Sequence, residues 1–154
     1  MTKINELQLD IPYGNIYTHD ASTPEAISNG TAYTKLTSFT NNGLYNKCTL
    51  DASNNKITIT KPGIYKVICN INGASNTVST FLYAAFLDGV EQDQCHAYRK
   101  YATANDNGSC GFSGIIDVES SGLDLDVRAR HDSGTSVNLT IAYMSLVISY
   151  LGET

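Results

Sequence analysis

The chain has 154 residues, of which 42% are hydrophobic and only 16% charged, with a formal net charge of −5. One domain of that size can bury a core without disulfide staples. The acidic balance excludes the electrostatic footprint that phosphate backbones or anionic membranes require, and no apolar run approaches a membrane span, so neither nucleic acid nor a membrane is an expected partner.

Met1 to Pro12 places Ile4, Leu7, Leu9 and Ile11 between polar residues and ends on a proline, which separates an arm of residues 1–12 from a domain of residues 13–154. Glu6 and Asp10 interrupt any signal-peptide core, so synthesis in the cytoplasm is expected. Tyr13 to Thr18 has aromatic β-formers, Asp20 to Pro24 is loop chemistry, and Tyr33 to Phe39 resumes as a strand. After the Asn41-Asn42-Gly43 break, a short strand near Lys47 to Leu50 is turned by the Asp51 to Asn55 cluster. Ile57 and Ile59 alternate with Thr58 and Thr60 up to Lys61-Pro62-Gly63, where proline presets φ and glycine accepts a positive one. Beyond that turn Tyr65, Val67, Cys69 and Ile71 share a strand face.

Asp88-Gly89 is a two-residue hairpin signal joining Thr80 to Leu87 with a return strand from Val90 to Tyr98. Ser109 to Val118 carries Cys110, Phe112, Gly114, Ile116 and Val118 on one face. Leu123, Leu125, Val127 and Ala129 alternate with Asp124, Asp126, Arg128 and Arg130, whose polar face is expected to meet water. A long last strand covers Ser136 to Leu151. No segment combines caps with a helical period, which predicts an all-β sandwich or jelly roll with almost no helix.

Two strands are apolar on both faces. Phe81, Tyr83, Ala85 and Leu87 oppose Leu82, Ala84 and Phe86, and in the last strand Leu139, Ile141, Tyr143 and Val147 oppose Ala142, Met144, Leu146 and Ile148. A two-sheet sandwich has one core, so a second apolar face predicts contact with another subunit. Tyr65, Phe81, Tyr83, Leu139, Ile141, Tyr143 and Val147 are the candidate core or interface residues.

The chemistry-bearing residues form no reactive set. Cys48, Cys69, Cys95 and Cys110 lack CxxC spacing and read as reduced structural thiols, Cys69 as a core packer. Cys95 and His96 are adjacent and point to opposite faces of a strand, so they cannot share a metal. Asp124 and Asp126 lack the glycine and terminal carboxylate of a calcium loop. His131-Asp132 lies near several serines, but Gly111-Phe112-Ser113-Gly114 lacks the second glycine of a nucleophile elbow. No catalytic residue, metal or cofactor is predicted. Tyr98, Arg99, Lys100 and Tyr101 form a basic and aromatic cluster, a candidate loop contact for a ligand weighed against a partly exposed strand end.

The ordered series Tyr13-Gly-Asn-Ile-Tyr, Lys61-Pro-Gly-Ile-Tyr-Lys-Val, Phe86-Leu-Asp-Gly, Gly111-Phe-Ser-Gly-Ile, Leu123-Asp-Leu-Asp-Val and Tyr143-Met-Ser-Leu-Val-Ile resembles the complement-one-q and tumour-necrosis-factor (TNF) superfamily, in the form found among phage virion proteins. The resemblance implies a two-sheet jelly roll of about ten strands that forms a homotrimer, with both twin-faced strands in the inner sheet. It implies a structural virion protein on the capsid exterior, a decoration or cement protein, not an enzyme, with the major capsid protein or another virion protein as partner and Ile4, Leu7, Leu9 and Ile11 as the capsid anchor. The alternative is a receptor- or glycan-binding fibre tip, or a bacterial complement-like surface domain.

Overall fold

The computed structural model describes residues 11–134 and 137–154. Among them are twelve strands: β1 (Tyr13–Thr18), β2 (Pro24–Ile27), β3 (Thr34–Lys35), β4 (Asn41–Asn46), β5 (Cys48–Asp51), β6 (Lys56–Ile59), β7 (Gly63–Ser75), β8 (Ser79–Leu87), β9 (Val90–Tyr101), β10 (Asn107–Val118), β11 (Leu123–His131) and β12 (Val137–Gly152). The helix among the described residues is a single 3-10 turn, Ala52–Asn54, inside the Asp51 to Asn55 cluster. The strands form two antiparallel sheets. Sheet A runs β10-β7-β12-β1-β4 with β2 on the side of β12, and sheet B runs β5-β6-β11-β8-β9 with β3 on the side of β11. The fold is an all-β jelly-roll sandwich, with the short strands β2 and β3 added to the main ten.

Local chemistry fixes the corners. Asp88 (φ 48°) and Gly89 (φ 83°) both take positive φ, the turn whose twist matches two flanking strands, and β8 returns directly as β9. Asn55, also left-handed at φ 57°, directs its side-chain oxygen to accept from the Phe39 N–H at 3.0 Å. Lys47 (φ 48°) bends the chain from β4 in sheet A to β5 in sheet B.

The core lies between the sheets. Tyr65, Val67, Cys69 and Ile71 of β7 face Tyr83, Phe81, Leu125 and Val127 of sheet B, all buried. Phe112, Ile116 and Val118 of β10 complete it as the alternation predicts.

Four expectations are corrected. The two twin-faced strands do not share an inner sheet: β8 lies in sheet B and β12 in sheet A. The second face of β8 is covered by its own chain, because Tyr33 meets Phe86 edge-on at 5.1 Å and the Arg128 guanidinium lies 4.3 Å above the same ring. The polar face of β11 is only partly solvated. Asp126 is buried beneath β3, where it accepts from Arg128 at 2.8 and 3.1 Å and pairs with Lys35 at 3.5 Å.

The fourth correction concerns β12. Its pairing with β7 runs Leu139↔Ser75 and Ile141↔Gly73, then resumes at Tyr143↔Asn72 and Leu146↔Cys69, which leaves Ala142 unpaired as a β-bulge. Alternation therefore changes parity in mid-strand. Leu139 and Ile141 join Met144, Leu146 and Ile148 in the core, while Tyr143 and Val147, expected beside Leu139 and Ile141, stand on the outer face.

Deleting Ala142 should remove that parity change and turn one half of β12 inside out. Exposing two large aliphatic side chains costs about 3–6 kcal/mol, a large part of a typical domain's stability. The expected result is loss of a cooperative melt by circular dichroism, whereas Ala142→Ser should retain it.

Candidate functional site

The outer face of sheet A is built by register. Reading across β10, β7, β12 and β1, the rows are Ser109, Asn72 and Tyr143; then Gly111, Asn70, Ser145 and Tyr17; then Ser113, Ile68, Val147 and Asn15; then Ile115, Lys66, Ser149 and Tyr13. A last row pairs Asp117 with Ile64. Lys66 and Asp117 are the charged residues of these five rows, so the face is nearly neutral on a chain of net charge −5. Large apolar groups reach solvent along it: Tyr13, Ile115 and Tyr143 are 43–57% exposed, and Leu44 of β4 is 80% exposed.

Two grooves cross this face. One, of about 410 Å³, is lined by Tyr17, Asn70, Asn72, Ser109, Tyr143 and Ser145 among others. The other, of about 420 Å³, lies between Tyr13, Leu44 and Val147 toward the opposite end of the strands. At the rim of the first, the Tyr143 hydroxyl donates to Asp20 Oδ1 at 2.6 Å, and Asp20 Oδ2 lies 3.0 Å from His19 Nδ1. The tyrosine bond holds the Asp20 carboxyl below its usual range and raises the tyrosine's own pKa.

The candidate core and interface residues divide between two roles. Tyr65, Phe81, Tyr83, Leu139 and Ile141 are fully buried between the sheets. Tyr143 and Val147 are on the outer face of sheet A, and the flanking residues that make it a surface, Tyr17, Ile68, Asn70 and Asn72, were missed because no single strand is apolar enough there to signal it.

The cluster Tyr98, Arg99, Lys100 and Tyr101 is not a loop. It is the end of β9, where alternation sends Tyr98 and Lys100 outward opposite Leu82 and Thr80. Arg99 and Tyr101 turn inward, the Tyr101 hydroxyl 3.2 Å from that of Tyr83 and the Arg99 guanidinium packed over Gly108. Four consecutive residues on two faces make no common contact surface. Of the candidate anchor, Ile4, Leu7 and Leu9 lie outside the described residues. Ile11 is 46% exposed, and its carbonyl accepts from Asn46 Nδ2 at 2.9 Å.

His131 and the serines do not converge. Its ring is fully buried; Nδ1 accepts from the Ser133 N–H at 3.1 Å, which places the proton on Nε2, donating to the Ile27 carbonyl at 3.0 Å. The ring ties the end of β11 to β2, while Ser113 stands on the outer face of the other sheet. Among the described residues no group of three His, Cys, Asp or Glu is placed to hold a metal ion.

No family model matches the sequence, and no curated protein matches it. Solved structures do. The chain superposes on the TNF Eiger of S. frugiperda with a TM-score of 0.64 at 12% identity, covering 93% of this chain and 95% of that one. It superposes on the globular domain of the zebrafish complement 1qA protein with a TM-score of 0.62 at 8% identity, covering 93% and 99%. The fold is the TNF and complement jelly roll. At these identities the likeness shows architecture alone.

The four cysteines are free. Burial pushes Cys48, Cys95 and Cys110 up to about 11 and Cys69 higher still, so all are neutral thiols at neutral pH. Native protein should resist iodoacetamide at neutral pH and take up four equivalents once denatured without reductant, read by intact mass. Fewer than four would mean that some are bonded.

Proposed function

We propose that this chain is a non-enzymatic structural protein that works as a homotrimer and decorates the exterior of a phage capsid. The observation that carries self-association is the outer face of sheet A. The back of β8 is already covered by Tyr33 and Arg128, whereas Ile64, Ile68, Ile115, Val147, Tyr13 and Leu44 lie together on a nearly uncharged surface without such a cover among the described residues. A second copy of the same neutral, partly apolar surface matches it better than a charged partner does. The likeness to TNF and complement domains, whose members usually trimerise, supports three copies rather than two.

The virion assignment rests on the motif series that resembles phage virion jelly rolls and on the nearly neutral, Asn- and Ser-rich outer face of sheet A. In this reading Ile4, Leu7, Leu9 and Ile11 hold the trimer to the major capsid protein. Three anchors on one trimer would bind by multivalency, so each contact can be weak.

Light scattering on a sizing column should give three chain masses. Val147→Arg should give one chain mass with an unchanged circular dichroism spectrum, because the side chain leaves the sandwich but an unpaired buried charge costs an interface about 3–5 kcal/mol. A variant that keeps the full mass would show that this face is not the contact.

The capsid reading has its own test. The full chain should cosediment with purified capsid shells, and Leu7→Asp with Leu9→Asp should leave it in the supernatant at unchanged trimer mass. A full chain that stays in the supernatant would sink the decoration role.

A further inference from the structure

The outward face of sheet B concentrates the cations of an acidic chain. Register sets three rows across β9, β8 and β11: Lys100 with Thr80; Tyr98 with Leu82 and Arg130; and His96 with Ala84 and Arg128, beside which β3 places Lys35. Four of the ten Lys and Arg residues of a chain of net charge −5 stand in these rows. Arg128 and Lys35 share the buried Asp126, which leaves that group one positive charge. Neither Lys100 nor Arg130 forms an ion pair among the described residues.

The cover over β8 and β11 stops short of β9. Tyr98 is 66% exposed, His96 and Lys100 are exposed beside it, and Leu82 is half-buried at its foot. Along β9 the Tyr98 ring stands about 7 Å from Lys100 on one side and from His96 on the other, two residues of strand rise each. Arg130 is fixed, donating to the Gly30 carbonyl at 2.7 Å with its guanidinium 5.2 Å over the Tyr33 ring, so its charge is in place before any partner arrives.

Carboxylates bound this patch. Asp132 accepts from the Thr80 N–H at 2.7 Å at one end of the Lys100 row, and Glu91 lies 3.0 Å from His96 at the other limit, with the exposed Asp93 beyond it. A phosphate backbone or a sulfated polymer, charged at every repeat, would run past three rows onto those carboxylates, and an anionic membrane needs a broader cationic surface than a net acidic chain supplies. Strand addition is not offered either. β8 and β11 are paired on both sides, and the flank of β9 is turned to β10, through Gln94 Nε2 on the Ile115 carbonyl at 2.9 Å and Arg99 over Gly108. Side chains carry the contact, and they suit a short segment with an apolar group between carboxylates.

We propose that the outward stripe of β9, with Leu82 and Arg130, is a docking surface for a short acidic segment of another protein, in which Tyr98 and Leu82 take an apolar side chain and Lys100 and Arg130 take carboxylates. It lies on the side of the sandwich opposite the proposed subunit contact, and it does not depend on the capsid reading.

The test is fluorescence anisotropy of a fluorescein-labelled, N-acetylated Glu-Glu-Phe-Glu-Glu peptide with the full chain up to millimolar concentration. The comparators are the same peptide with lysine for glutamate, a single-stranded oligonucleotide and phosphatidylserine vesicles. Binding of the acidic peptide that weakens with added salt is expected, with none of the lysine peptide. Tyr98→Ala and Lys100→Glu should each weaken it roughly tenfold at unchanged mass by light scattering. No binding, equal binding of the lysine peptide, or binding that both variants leave unchanged overturns the surface, as does tighter binding of the oligonucleotide or the vesicles through the same two residues. Variants that change the mass of the assembly would make the stripe a subunit contact and overturn the docking surface. A wild-type monomer that binds the acidic peptide through Tyr98 and Lys100 supports this surface while it removes self-association.

Discussion

Between Ile141, opposite Gly73, and Tyr143, opposite Asn72, β12 contains one residue more than the strand it pairs with. β12 is the middle of sheet A, hydrogen-bonded to β7 on one side and to β1 and β2 on the other, so its parity decides the faces of its neighbours. Before the bulge Leu139 and Ile141 point into the sandwich, and after it Met144, Leu146 and Ile148 do. The extra residue lets a strand that is apolar on both sides serve the core along its whole length. It also delivers Tyr143 and Val147 to the outer face, where both grooves form around them.

The two sheets solve the problem of their outer faces differently. Sheet B covers the β8 and β11 part of its own: the chain between β2 and β3 lays Tyr33 on Phe86, Arg128 stacks on the same ring while chelated by Asp126, and Arg130 stacks on Tyr33 while donating to the Gly30 carbonyl at 2.7 Å. Charges held this way cannot readily leave for a partner, because each would abandon a ring contact and a hydrogen bond together. Sheet A has no such cover among the described residues. Its outer face keeps amides, hydroxyls, tyrosines and aliphatic groups in rows, and that is the chemical asymmetry between the two sheets.

Within that face the division between apolar and polar rows follows from which residues the register brings level. Ile68 meets Val147, whereas Asn70 meets Ser145 and Gly111. An apolar row favours exclusion of water and contact with another protein surface, and an amide and hydroxyl row favours a ligand that replaces water bond for bond. The buried polar groups have structural work instead. His131 fastens β11 to β2 through Nε2 while its Nδ1 holds the Ser133 N–H just beyond β11, and the half-buried Glu25 accepts from the Thr37 N–H at 2.7 Å and from the hydroxyls of Thr37 and Ser38, which binds β2 to the chain after β3.

Most turns and local alternation were legible in the sequence because they depend on neighbours, although the break expected at Asn41-Asn42-Gly43 is instead the start of β4. Asp88-Gly89 specifies its hairpin through positive φ at two positions, and the apolar series of β7, β10 and β11 lie where their alternation puts them. The all-β class follows from these together. What the tertiary structure decided were relations between distant residues. Ala142 carries no signal of a bulge, since the extra residue exists only relative to β7, and with it went the faces of Tyr143 and Val147. That β8 and β12 belong to different sheets is a matter of pairing order, to which apolar patterning is blind. Asp126 read as solvated because β11 alternates cleanly, but Lys35 of β3, far away in sequence, pairs with it where it is buried. The grooved face is of the same kind: its asparagines, serines and tyrosines are unremarkable within each strand and become a surface only when four strands align them.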